Sequence, residues 1–141
     1  MKYDYFLASR YRNKPELIGL TRQIRTMGKK IYCFVESEPS RRIVGELDAD
    51  PESSMQKFEA IADWHDADPV REIYETDMAA LRNSEALILL LPAGKSSHIE
   101  AGVAFGLGKK LILIGEQRET ESLYLIFEQR FATIEQFLNS I

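Results

Sequence analysis

The chain has 141 residues, 45% of them apolar and 28% charged, with a formal net charge of −4. That balance belongs to one soluble globular domain, long enough to bury a proper core. The basic residues are scattered rather than gathered on one face, which argues against a DNA or RNA partner. The longest apolar run, 86–91, is far short of the roughly 20 residues that a membrane helix needs.

The N-terminal "MKYDYFLAS" carries Asp4 and reads as a strand over 3–8 rather than as a signal peptide. "SRYRNK" follows as a polar loop, 9–14. Pro15 opens a helix whose apolar stripe is Leu17, Leu20, Ile24 and Met27, and Gly28 ends it. "IYCFV", 31–35, is a continuous apolar run, the pattern of a strand covered on both faces. It holds the single cysteine, Cys33, which has no internal disulfide partner and suits a reducing cytoplasm. Residues 36–52 show no period, carry two prolines and read as a long loop over a site. A helix is predicted over 53–64. Another starts with Asp68 as N-cap and Pro69 as first residue and runs to about Asn83. A strand at 86–91, a helix at 97–107 and a strand at 110–114 come next. "ESLYLIFEQ" reads as a short helix, with a strand as the alternative, and 130–133 as a short edge strand. Thr133 with Gln136 forms a capping box for a last helix, 134–140.

Strands thus alternate with helices along the whole chain. The predicted fold is α/β: a single domain, 1–141, built on a doubly wound, mostly parallel five-stranded sheet with helices on both faces, flavodoxin- or Rossmann-like. Ligands of such sheets bind beyond the carboxyl ends of the strands, which directs attention to loops 9–14, 36–52 and 92–98.

Two acids stand where apolar residues are expected. Glu100 lies one turn into a helix of small and apolar residues, directly after an apolar strand. It completes a capping-box pattern with Ser97, which is one explanation. The other is a carboxylate aimed at a ligand, on a helix whose Gly102 and Gly106 leave room for a ligand or for a close neighbour, whether sheet or partner subunit. Asp77 falls on the apolar stripe Val70, Ile73, Leu81 of its helix, so it requires a partner, a proton or a chemical task. Ser9, Arg10 and Arg12 in the first loop read either as a solvated surface or as contacts to an anion or sugar. Gly94, Lys95, Ser96, Ser97 and His98 combine hydroxyls, a cation and helix N-terminal amides, a combination that holds phosphate. This is not a Walker A loop, because Leu89 stands where its first glycine belongs. His65 and His98 are distant in sequence and no cysteine pair exists, so no zinc-ligand spacing is present and no metal is expected. Nothing matches a G-x-S-x-G elbow.

With Tyr5, Asp77 and Glu100 in place, the chain resembles the nucleoside 2-deoxyribosyltransferase superfamily, which includes nucleoside transferases and nucleotide N-glycosidases. The likeness runs through "YFLAS", "MGKKIYCF", "TDMAALRNSEALILLLP" and, most specifically, "SSHIEAGVAFGLGKKLILI". The resemblance implies that Glu100 is a nucleophile attacking C1′ of a ribosyl or deoxyribosyl group. It further implies that Asp77 meets the base and gives it a proton, and that Tyr5 orients Glu100. It implies no cofactor, a small-molecule nucleoside or nucleotide as partner, and a homo-oligomer. Two features depart from the transferases. "AGKSSH" replaces the aspartate and Gly-Thr pair that precede their glutamate, and the motif of their C-terminal asparagine is not found near "LYLIFEQRF". The hydroxyls and Lys95 look more like the phosphate pocket of the nucleotide hydrolases. The leading expectation is therefore cleavage or transfer at an N-glycosidic bond. The alternatives are an NAD-type glycohydrolase and a non-enzymatic nucleotide sensor.

Overall fold

The computed structural model describes residues 2–37, 39 and 50–141, so most of the loop expected at 36–52 lies outside the described residues. Five strands form one sheet: β1 (Tyr3–Ala8), β2 (Ile31–Cys33), β3 (Ser84–Leu90), β4 (Lys110–Ile114) and β5 (Gln129–Phe131). Their order is β2-β1-β3-β4-β5, and every neighbouring pair is parallel. The strand order reverses between β1 and β3, which makes the crevice beyond their carboxyl ends the switch point of the sheet.

The helices are α1 (Lys14–Thr26), α2 (Pro51–Glu59), α3 (Asp68–Arg82), α4 (Lys95–Gly106) and α5 (Ile134–Leu138). Strand alternation divides the core between the two faces of the sheet. Leu7, Cys33, Ile88 and Ile114 pack with Leu17, Leu20 and Ile24 of α1 and Phe137 of α5. Phe6, Ala8, Leu87, Leu89 and Leu113 pack on the other face with Leu81 of α3 and Ala101 and Ala104 of α4. The small residues of α4 let its backbone lie close to the sheet. Gly28 takes a left-handed conformation (φ 82°) directly after α1, as a helix terminator does. Gly115 is needed twice over: its φ is 116°, and a Cβ there would sit 2.9 Å from that of Leu91.

Several boundaries differ from the predicted ones. The strand at 31–35 stops at Cys33, and Phe34–Glu36 turns into a 3-10 helix. The helix predicted over 53–64 is α2, which starts at Pro51 and ends at Glu59; beyond it Asp63 takes a positive φ of 51°. Asp68 is the first residue of α3 rather than its N-cap, a position that Ala67 takes. "ESLYLIFEQ" forms a 3-10 turn, Ser122–Ile126, opened by the Glu121 carboxylate accepting from the amide of Leu123 at 3.2 Å. Thr133 accepts from the Gln136 amide at 3.1 Å, and α5 follows as predicted but two residues shorter. No helix among the described residues is long and apolar enough to cross a membrane.

Candidate active site

The start of α4 decides what Glu100 is free to do. The helix begins at Lys95, two residues earlier than predicted, with Gly94 as N-cap. Ser97 is then the third helical residue. Its buried hydroxyl accepts from the Gly94 amide (3.1 Å) and donates to the Gly94 carbonyl (3.0 Å). The serine closes the cap without Glu100, and among the described residues the Glu100 carboxyl makes no hydrogen bond. It points instead into a cleft of about 470 Å³ at the switch point, where Asp77 of α3 also projects.

The loop after β1 and the helix α2 build the rest of that cleft. Asn13 anchors the loop: its amide donates to the Ser9 hydroxyl (2.9 Å) and to the Pro92 carbonyl (2.7 Å), while Ser9 donates to the Leu90 carbonyl (2.8 Å). The ends of β1 and β3 are thereby tied together beneath the site. Phe34, Met55, Phe58 and Ile73 supply an apolar wall, and Arg10, Lys95 and Ser96 stand on the rim.

Partial burial sets the protonation of the two acids. It pushes the Glu100 carboxyl up to about 8, and the nearby charge of Asp77 adds to the shift. Burial also raises Asp77, to about 6, and is opposed there by a hydrogen bond that the Tyr32 hydroxyl donates to Asp77 Oδ1 at 2.7 Å. Two carboxyls of unequal proton affinity thus share one cleft, a pattern that separates proton donor from anion in enzyme sites.

The comparisons with known proteins add a fold. No protein-family model matches the sequence, and no curated protein matches it either. The structure aligns with that of the 2-deoxyribosyltransferase from the psychrotolerant bacterium Bacillus psychrosaccharolyticus. The alignment covers 96% of this chain and 90% of that one, with a TM-score of 0.64 and 14% sequence identity. The chain has the 2-deoxyribosyltransferase fold. That enzyme is described as a biocatalyst for the synthesis of nucleosides.

Within the 2-deoxyribosyltransferase fold, the residues singled out from the sequence separate into three groups. Glu100, Asp77, Gly94, Lys95, Ser96, Ser97, Ser9, Arg10 and Arg12 all line the cleft. Of these, Ser9 and Ser97 have their hydroxyls engaged in internal bonds. Arg12 is likewise committed: it forks onto Glu52 and reaches Glu59 (3.0 Å), so it clamps α2 as a wall rather than offering a free charge.

Two residues lie elsewhere. Tyr5 does not reach Glu100, because alternation along β1 turns it to the opposite face of the sheet, where it packs edge-on against Phe137 at 5.8 Å. His98 faces away from Glu100 into a second opening of about 990 Å³. Its Nδ1 lies 2.7 Å from the Gly94 carbonyl, which can only accept, so that nitrogen carries the proton and Nε2 accepts from the Tyr124 hydroxyl at 2.7 Å. The residue the sequence reading missed is Tyr32. Inside "IYCFV" it looks like core, and only its register opposite Phe6 shows that its phenol stands on the face of Asp77 and Glu100.

Proposed function

We propose that the chain cleaves or transfers at the N-glycosidic bond of a nucleoside or nucleoside 5′-monophosphate. The observation that carries this reading is the convergence of Asp77 and Glu100, from two helices, in one cleft at the switch point of a deoxyribosyltransferase-type sheet. The Glu100 carboxylate attacks C1′ of the sugar. The C1′–N bond breaks, its electron pair goes to the base, and Asp77 gives that nitrogen its proton. A covalent glycosyl-glutamate remains. Water or a second base then attacks C1′ and loses a proton to the Asp77 carboxylate, and Glu100 departs as a carboxylate with the configuration at C1′ retained.

The protonation pattern fits one shared proton. Between about pH 6 and about pH 8 the pair holds a single proton, and in the free protein Glu100 retains it more tightly. The reaction needs it on Asp77. The electron-poor C1′ of a bound sugar beside Glu100 favours the glutamate anion and so moves the proton to Asp77. The apolar wall of Phe34, Phe58 and Ile73 suits a flat nucleobase next to Asp77.

The test is incubation with a panel of nucleosides, their 5′-monophosphates and NAD, with free base read by chromatography. Release of nucleobase that vanishes in Glu100→Ala supports the proposal. Ligand-induced thermal stabilisation without any released base would overturn it in favour of a binding protein, and release of nicotinamide alone would redirect it to an NAD glycohydrolase.

A further inference from the structure

We propose that Tyr32 is a positioning residue for the proton-transfer step: by holding one carboxyl oxygen of Asp77, it leaves the transferable proton on the other oxygen. The inference rests on the reading of Asp77 as proton donor to the leaving base.

The geometry begins in β2. Tyr32 pairs in register with Phe6, so its side chain lies on the sheet face covered by α3 and α4. The ring is stacked on Phe6 (centroids 5.3 Å, planes 22° apart) and meets Tyr3 edge-on at 5.6 Å. Held on both sides, it brings its hydroxyl to 2.7 Å from Asp77 Oδ1. The side chain of Ser37 hydrogen-bonds the same phenol, so the Tyr32 oxygen accepts from serine while its proton goes to aspartate. Burial, followed by the charge of Asp77, raises the phenol well above its usual range, and Tyr32 remains a donor throughout the neutral region.

A carboxylic acid with one oxygen already accepting carries its proton on the other. Oδ2 is therefore the donor atom of protonated Asp77. When the proton leaves for the base nitrogen, the electron pair of the O–H bond stays on Asp77, and the Tyr32 O–H already in place stabilises the new carboxylate.

The remaining groups around the cleft do not duplicate this role. Glu100 of α4 repels the Asp77 anion. Arg12 is bound to Glu52 and Glu59 of α2, and Arg10 and Lys95 stand on the rim. Arg10 itself donates to Asn13 at 3.1 Å.

Tyr32→Phe keeps the ring and removes the bond. The experiment compares it with wild type on two substrates as a function of pH. One is whichever nucleoside or monophosphate wild type hydrolyses best; the other is a p-nitrophenyl ribofuranoside or deoxyribofuranoside, whose phenolate departs without a proton. The Asp77 carboxyl is followed in parallel by carbon-13 NMR. The expected result on the nucleoside is a kcat reduced about tenfold to a hundredfold, less than the roughly 10²–10⁴-fold lost when a general acid is removed outright, with KM nearly unchanged. The acid limb should move to higher pH, because the carboxylate loses a donor, and the NMR midpoint of Asp77 should rise with it. Nitrophenolate release should stay near wild type, which also shows that the variant is folded. Equal losses on both substrates, or an unmoved Asp77 titration in an enzyme that is active as wild type, would overturn the role of Tyr32 alone. No turnover of either substrate by wild type would instead reject the functional reading, and this role with it.

Discussion

Glu100 is available for chemistry because a different residue, Ser97, satisfies the first turn of α4. Drawn partly out of water and without a hydrogen bond among the described residues, its carboxyl has a raised proton affinity, and a second acid beside it raises it further. Two consequences can be measured. Glu100→Gln should abolish detectable base release, whereas Asp77→Asn should reduce it about 10²–10⁴-fold, the usual range for removing a general acid. The loss in Asp77→Asn should nearly disappear on a nitrophenyl glycoside, which would separate a proton donor from a residue that merely shapes the cleft. The pH dependence of kcat/KM should be bell-shaped with limbs near 6 and near 8, since only the singly protonated pair can both attack and donate. A profile flat across that window would show that the pair does not share a working proton.

The elements around the site differ in what holds them. β1 and β3 are central strands, joined beneath the cleft by Ser9 and Asn13. α2 instead leans on the exposed side of Arg12 through Glu52 and Glu59. Exposed ion pairs are screened by solvent and contribute little to stability, so Arg12→Ala should hardly move the melting temperature. It should nevertheless raise KM several-fold, because Met55 and Phe58 of α2 form the apolar wall. A loss of stability without a change in KM would place the role of the clamp in folding.

The start of α4 bears on substrate choice. Lys95 and Ser96 stand on the rim beside helix N-terminal amides, which favour anions. A nucleoside 5′-monophosphate should therefore bind about tenfold or more tightly than its nucleoside, as one hydrogen bond to a charged group contributes roughly 1.5–3 kcal/mol. Side-by-side titration at moderate salt decides this, and equal affinities would favour unphosphorylated nucleosides.

At the scale of the whole molecule, the cleft carries a cost in stability that depends on pH. Glu100 and Asp77 both bind protons more tightly in the folded chain than they would unfolded, where carboxyls titrate near 4. Between about pH 4 and about pH 8 the folded state therefore holds more protons than the unfolded one. Their favourable contribution is complete at the acid end of this window and is lost as pH rises through it. The prediction is that Glu100→Gln melts close to wild type at pH 5 but above it at pH 9. A tenfold change in proton affinity corresponds to about 1.4 kcal/mol, so relief of roughly 2 kcal/mol or more is expected. Thermal melts at the two pH values check the sign. A Gln variant less stable than wild type at pH 9 would mean that the carboxylate is stabilised by contacts rather than strained by burial.

What the amino-acid sequence determined by itself was the order of elements and the two unusual acids. Apolar runs at 86–91 and 110–114, the stripe of α1 and the Thr133 cap report local periodicity and local hydrogen bonding, and neighbouring residues suffice for both. Asp77 was legible because a carboxyl on an apolar stripe contradicts its own helix, and Glu100 because it interrupts a run of small residues. Tertiary structure alone decided which groups meet. Capping by Ser97 or by Glu100 is equally consistent with S-x-x-E; the start of α4 at Lys95 settles it by moving Ser97 to the third helical position. Tyr5 and Tyr32 are alike as aromatic residues in apolar strands. One pleat sends Tyr5 toward Phe137, and the pairing of β2 with β1 brings Tyr32 to Asp77 from 45 positions away in the chain. Arg12 reads as a free cation until α2 arrives with Glu52 and Glu59. Contacts of that separation depend on how the sheet is ordered and which face each strand presents, and no local pattern records either.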